Sequence, residues 1–148
     1  MPAFFIVSPE LAGYPAGGGA LPVLFDTWLG DDLVSAFPVL LATTPLQRGL
    51  RLLKGSTGFE LERARTKAAP FFRRHNPGRR LPVFWAIRVT GWPGVDDMGL
   101  TPDRTLVVSG RVLEVFVRFR VNRAVFAQYV PLQIKSGSQA AISRGRRT

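Results

Sequence analysis

The segment from Arg104 to Tyr129 reads as strand, serine cap, amphipathic helix and strand, and the same arrangement stands earlier in the chain, with Thr43 and Ser109 66 positions apart. In the later copy Leu106-Val107-Val108 leads to Ser109, then to Val112, Phe116 and Phe119, then to Val125 and Ala127. In the earlier copy Val39-Leu40-Leu41 leads to Thr43, then to Leu46, Leu50 and Leu53, then to Phe59 and Leu61. Both helical triplets fall at i, i+4 and i+7, the spacing of one buried face. The repeat predicts an α+β chain with a small mixed sheet made of two strand-helix-strand units, an N-terminal strand and a central aromatic strand. No catalytic signature overlaps either copy.

Around this frame, Ala3 to Ser8 reads as an opening strand and Pro9 to Ala20, rich in glycine, as a loop with a mobile tip. Leu21 to Phe25 is expected to pair in the sheet, and Asp26 to Ala36 to hold a short helix begun by Asp31 or Asp32. Pro38 to Thr43 is apolar without interruption, as in a strand covered on both faces. Thr44 before Pro45 signals a helix start, with the threonine as cap, and Gly55 a stop. The 14 residues between that strand and Gly58 suffice for a parallel crossover. Gly58 to Arg65 alternates Phe59 and Leu61 with charged residues, so one of its faces is wet. Lys67 to Arg80, interrupted by Pro70, Pro77 and Gly78, cannot be one regular element. Pro82 to Gly91 is the clearest strand, with Val83, Trp85, Ile87 and Val89 on one face and Trp85 assigned to the core. Gly91 to Arg104 reads as a long turn. At 148 residues, one domain is expected over 1–137, followed by a flexible basic tail over 138–148.

The absence of cysteine excludes disulfides, thiolate nucleophiles and Cys-ligated zinc, and suits a reducing compartment; the expected location is cytoplasmic. Apolar runs such as Ala3 to Val7 are shorter than the roughly 20 residues that span a bilayer, and no basic region precedes the first, so neither a membrane segment nor a signal peptide is expected. Charge is unevenly placed. Residues 1–47 carry Glu10, Asp26, Asp31 and Asp32 and no Lys or Arg, whereas the whole chain has a net charge of +10. Such asymmetry suits a polyanion-binding face or two surfaces offered to different parts of a protein partner.

Candidate chemistry is sparse. Asp96 and Asp97, with Asp103 nearby, offer oxygen ligands or an acid-base pair, but aspartate is also an ordinary turn former, and the dense ligand spacing of a calcium loop is missing. A turn or partner contact is favoured, and no metal or cofactor is expected. His75 is the only histidine, set between Arg74 and Asn76, and reads as a surface residue. Gly17-Gly18-Gly19 lacks the lysine and helix start of a phosphate loop. The segment 63–80 holds Arg63, Arg65, Lys67, Arg73, Arg74, Arg79 and Arg80 with Phe71-Phe72 and no acid. That pattern supplies phosphate neutralisation and stacking for single-stranded nucleic acid; the competing reading anchors the phenylalanines in the core and leaves the arginines solvated. Trp28 and Trp92 lie beside glycine or proline in loops, either as partner-binding hot spots or as loop plugs.

The segments Leu81-Pro82-Val83-Phe84-Trp85, Val89-Thr90-Gly91, Asp96-Asp97-Met98-Gly99 and Leu106-Val107-Val108-Ser109, with the helix ending near Phe119, resemble bacterial immunity proteins of polymorphic toxin systems. The opening Phe-Phe-Ile-Val, Trp28-Leu29-Gly30 and Phe37-Pro38 share the likeness, which spans roughly residues 3 to 131. Met98 stands where the resemblance leads one to expect an aromatic, and the net charge of +10 departs from the acidic character of immunity proteins that block basic nucleases. The resemblance implies a non-catalytic protein that binds a cognate toxin and occludes it. Trp28, Asp31, Asp32, Trp92, Asp96 and Asp97 are its expected contacts, because loops on a rigid scaffold carry binding. Binding of nucleic acid through segment 63–80 and the tail is the alternative.

Overall fold

The computed structural model describes residues 3–17 and 22–130. Of the loop expected over Pro9 to Ala20, the part up to Gly17 is described and holds two short strands, Glu10–Leu11 and Gly13–Pro15, because its backbone pairs with two later strands; Gly18 to Ala20 and the expected basic tail over 138–148 lie outside the described residues. In chain order the elements are β1 (Phe4–Ser8), β2 (Glu10–Leu11), β3 (Gly13–Pro15), β4 (Val23–Phe25), β5 (Leu33–Ala36), β6 (Val39–Thr43), α1 (Thr44–Arg51), β7 (Phe59–Arg63), β8 (Thr66–Ala68), α2 (Pro70–His75), β9 (Phe84–Val89), β10 (Met98–Leu100), β11 (Leu106–Ser109), α3 (Gly110–Arg118) and β12 (Val125–Gln128). The fold is α+β, but its strands form three sheets rather than the expected one. Sheet I has the order β2-β5-β6-β9-β7, sheet II β10-β11-β1-β12 and sheet III β3-β4-β8.

The repeat is deeper than its sequence pattern. In sheet I, β5 and β6 form an antiparallel hairpin, α1 follows, and β7 returns parallel to β6 with β9 between them, antiparallel to both. In sheet II, β10 and β11 form the hairpin, α3 follows, and β12 returns with β1 in the middle. The crossover strands are therefore parallel but not neighbours. The N-terminal strand fills in one half the slot that the aromatic strand β9 fills in the other.

The main core lies between sheets I and II and the two helices, and joins Val7, Leu33, Leu40, Leu46, Leu50, Ile87, Met98, Val112 and Phe116. A second core fills the space between the other face of sheet I and sheet III, where Phe25 and Phe84 stack with centroids 4.7 Å apart among Val23, Val34 and Leu41. The uninterrupted apolar run of β6 follows from this. Leu40 and Ala42 enter the main core and Leu41 the second. Strand β7 has one wet face, with Glu60 and Glu62 exposed, while Arg63 ends the face of Phe59 and Leu61.

Several local expectations are corrected. Asp26 to Ala36 forms no helix. Leu33, Val34 and Ala36 are buried across both faces of β5, a pattern only a central strand satisfies. Thr43, not Thr44, is the N-cap of α1, and its hydroxyl is engaged elsewhere instead of capping. The connection after Arg65 contains β8 and α2, and the turn after Gly91 contains β10. Trp85 is half-buried at the core rim, where its Nε1 donates to Thr44 Oγ1 at 3.0 Å and Arg51 lies 5.7 Å above its ring; Phe84 is the fully buried aromatic.

Where β7 begins and β9 ends, the backbones of Gly58 and Gly91 pass against β10. A Cβ on Gly58 would sit 2.2 Å from the Met98 carbonyl oxygen, and φ there is 88°. Gly58→Ala is therefore expected to cost about 2 kcal/mol or more, measured by urea unfolding. A loss of less than about 0.5 kcal/mol, the range of ordinary surface changes, would contradict the close approach.

Candidate protein-binding surface

The expected contact residues fall into two groups at equivalent places in the two halves. Asp32 precedes β5 and Asp97 precedes β10, each at the mouth of its hairpin. The Thr43 amide donates to the Asp32 carbonyl at 2.9 Å, and the Ser109 amide donates to that of Asp97 at 2.9 Å. Their side chains repeat the match. Thr43 Oγ1 donates to Asp32 Oδ1 at 2.6 Å and Ser109 Oγ to Asp97 Oδ1 at 2.7 Å.

The second carboxylate oxygen reaches across to the other half. Asp32 Oδ2 accepts from the Arg120 amide after α3 at 2.8 Å, and Asp97 Oδ2 from the Thr57 amide after α1 at 3.0 Å. Arg111 adds a bidentate pair to Asp97, with Nε 3.1 Å from Oδ1 and Nη2 3.2 Å from Oδ2. Partial burial pushes the Asp97 carboxyl up, but the hydrogen bonds from Arg111, Ser109 and Thr57 outweigh it and hold the group below its usual range. Asp31 is buried, and its Oδ2 accepts from the Arg123 amide at 2.7 Å. Asp96 Oδ2 accepts from the Trp92 amide at 2.7 Å, closing the turn that carries this tryptophan.

These four aspartates hold the framework, and the tryptophans differ in what they leave open. Trp28 donates from Nε1 to the Asp31 carbonyl at 2.7 Å, meets Phe84 edge-on at 6.1 Å and has the Arg79 guanidinium 5.0 Å above its ring. It plugs the second core while still lining an open basin of about 690 Å³ with Asp32, Arg118 and Arg120. Asp31 lines a neighbouring basin of about 620 Å³ with Glu10 and Arg123. Asn122 belongs to both. Trp92 is 74% exposed and Val95 75%. Their turn lies across sheet II: Pro93 backbone atoms cover Gly99, and the Tyr129 ring is 3.2 Å from a Cβ placed on Gly94.

The seven basic residues Arg63, Arg65, Lys67, Arg73, Arg74, Arg79 and Arg80 are all exposed. Arg73 Nη1 donates to the Ala68 carbonyl at 2.8 Å, and Arg79 covers Trp28. The two phenylalanines divide. Phe72 is fully buried, whereas Phe71 is 48% exposed and stacks on His75 at 4.1 Å. Asp103 accepts from Thr101 and Thr105 within the β10–β11 turn. Among the described residues no group of three or more His, Cys, Asp or Glu side chains is placed to hold a metal ion. No family model, curated protein or solved structure matches this chain.

Glu10 was not singled out by the sequence, since a lone glutamate next to proline carries no pattern. Burial raises its pKa, the charge of Asp31 raises it further, and Arg123 offsets part of the rise; its Oε1 has no partner among the described residues. Two opposite pH responses follow. Asp97 contributes fully above the usual aspartate pKa of about 4, and the contribution is lost as pH falls through the lower folded value. Asp97→Asn should therefore cost on the order of 2 kcal/mol near neutral pH and almost nothing once both states are protonated. For Glu10 the folded pKa is the higher one, so stability present at acid pH is lost as pH rises through it. Glu10→Gln should raise the melting temperature at neutral pH and leave it unchanged in acid. Thermal unfolding across pH tests both, and a pH-independent effect of either substitution would refute the assignment.

Proposed function

We propose that this chain is a non-catalytic protein-binding module that neutralises a partner by occlusion, as an immunity protein neutralises its toxin. The observation that carries the reading is Trp92, 74% exposed on a turn whose ends are tied by Asp96 and Asp97. An exposed indole held on a rigid turn loses little freedom when it is covered, and tryptophan leads the residue types that dominate binding energy. Asp32 and Asp97 support the same reading, because both oxygens of each carboxylate accept hydrogen bonds inside the fold and brace the loops that carry the tryptophans. The resemblance to immunity proteins, and the cytoplasmic action that a cysteine-free chain suits, make the toxin the most specific form of partner.

A second reading rests on its own observation. The exposed Phe71–His75 stack stands among arginines that make no ion pair among the described residues, an arrangement suited to single-stranded nucleic acid.

Affinity capture with the tagged full chain separates the two, run with and without nuclease and at raised salt, for the parent and for Trp92→Ala. The expected result is one stoichiometric protein that survives nuclease and salt and binds Trp92→Ala about 30-fold more weakly, with the melting temperature of the variant unchanged. Loss of all partners on nuclease treatment, with affinity falling steeply with salt, would replace the protein-binding reading by the nucleic-acid one.

A further inference from the structure

Strand β12 closes one edge of sheet II, and all four of its residues are exposed. It pairs antiparallel with β1, with Ile6 opposite Ala127 and Val7 opposite Phe126. The Tyr129 amide donates to the Phe4 carbonyl at 2.8 Å. Alternation along an antiparallel ladder then turns the backbone groups of Val125 and Ala127 toward β1 and those of Phe126 and Gln128 toward the open edge. No described element lies beyond them.

Open edges are normally defended by charge, proline or a bulge, because they template the pairing of another chain. The equivalent edge of the other half follows that rule: β7 reads Phe-Glu-Leu-Glu-Arg, with three charges in five residues. Strand β12 reads Val-Phe-Ala-Gln and has no charge at all. Two halves with the same topology differ in the charge of this edge.

The edge also joins the two groups of expected contacts. At its start the Arg123 amide is bonded to Asp31, beside the basins of Trp28 and Asp32. At its end the Tyr129 ring lies beside the Trp92 turn, 3.2 Å from where a Cβ on Gly94 would stand. Charge selects the occupant. Residues 115–130 contain Arg118, Arg120 and Arg123, all exposed, and no acid; of the acids that share their basins, Asp32 and Asp31 already accept from the Arg120 and Arg123 amides, and Glu10 is the third. A second copy would bring the same basic loop and another net charge of +10, so self-pairing is opposed by repulsion while an acidic strand is drawn in.

We propose that β12 is a strand-addition site, and that the partner docks an extended acidic segment on it, its backbone paired with Phe126 and Gln128 and its carboxylates on Arg118, Arg120 and Arg123. This rests on the protein-binding reading and names the part of the partner it engages. Backbone pairing supplies affinity in such complexes, and the flanking side chains supply selectivity.

The test is amide hydrogen exchange, residue by residue, on the full chain alone and with a capped peptide of alternating valine and threonine flanked by aspartates, against the same peptide flanked by lysines. Alone, Phe126 and Gln128 exchange freely while Ala127 is protected. The acidic peptide should protect Phe126 and Gln128, and the lysine peptide should bind at least about tenfold more weakly. Gln128→Pro removes an outward donor that β1 does not use, and should weaken the acidic peptide about tenfold, whereas Gln128→Thr should not. Arg118→Glu, which leaves the edge untouched, should weaken it as well. Protection of Phe126 and Gln128 in the chain alone would mean that residues 131–148 or a second copy already fill the edge, and would overturn the proposal. So would equal binding of both peptides, no protection by either, or indifference to Arg118→Glu. The two readings fail separately: a captured partner that is weakened by Trp92→Ala but binds Gln128→Pro as it binds the parent keeps the protein-binding module and overturns the edge.

Discussion

Asp32 and Asp97 each tie three separate pieces of chain to one carboxylate: their own hairpin mouth, the hydroxyl at the start of their own helix, and a backbone amide following the helix of the other half. The relation is reciprocal, so neither half completes its own turn without the other. A partly buried carboxylate is costly unless its lone pairs are filled, and here both oxygens of each group are filled from within. Removing one aspartate leaves unpaired a hydroxyl and an amide that belong to different halves, so its effect is expected to spread beyond the residue's own hairpin.

The same bonds shape the surface. Asp31, Asp32, Asp96, Asp97 and Asp103 accept hydrogen bonds within the fold, and Glu60 pairs with Arg88. More than half of the ten acids are thereby engaged, while most of the twenty basic side chains stand in solvent. What remains for a partner is a positively charged exterior, an undefended strand edge, and two tryptophan-bearing loops held rigid from behind.

Much of this frame was legible in the sequence because periodicity survives in one dimension. The matched helices, the Ser109 cap and the doubly covered strand β6 follow from spacing alone, and α3 keeps its cap through Ser109 Oγ, which accepts from the Val112 amide at 3.3 Å. What was not legible depends on partners distant in sequence. Leu33 to Ala36 looks helical beside two aspartates until β6 and sheet III claim both its faces. The slot shared by β1 and β9 cannot be read from either repeat, since each strand comes from outside its unit. Nothing local reveals that Arg123, Arg120 and Thr57 will bring amides to Asp31, Asp32 and Asp97. Glu10 was invisible for the same reason, its pKa being raised by packing and by Asp31 across the fold.

The most direct test of this account is residue-resolved amide hydrogen exchange of Asp32→Ala against the parent chain. Reciprocal locking predicts that protection falls together in both halves, in β5 and β6 and equally in α3 and the Arg120 loop. Loss of protection confined to residues 31–43, with α3 and β12 exchanging as in the parent, would show that the halves stand independently and would contradict it.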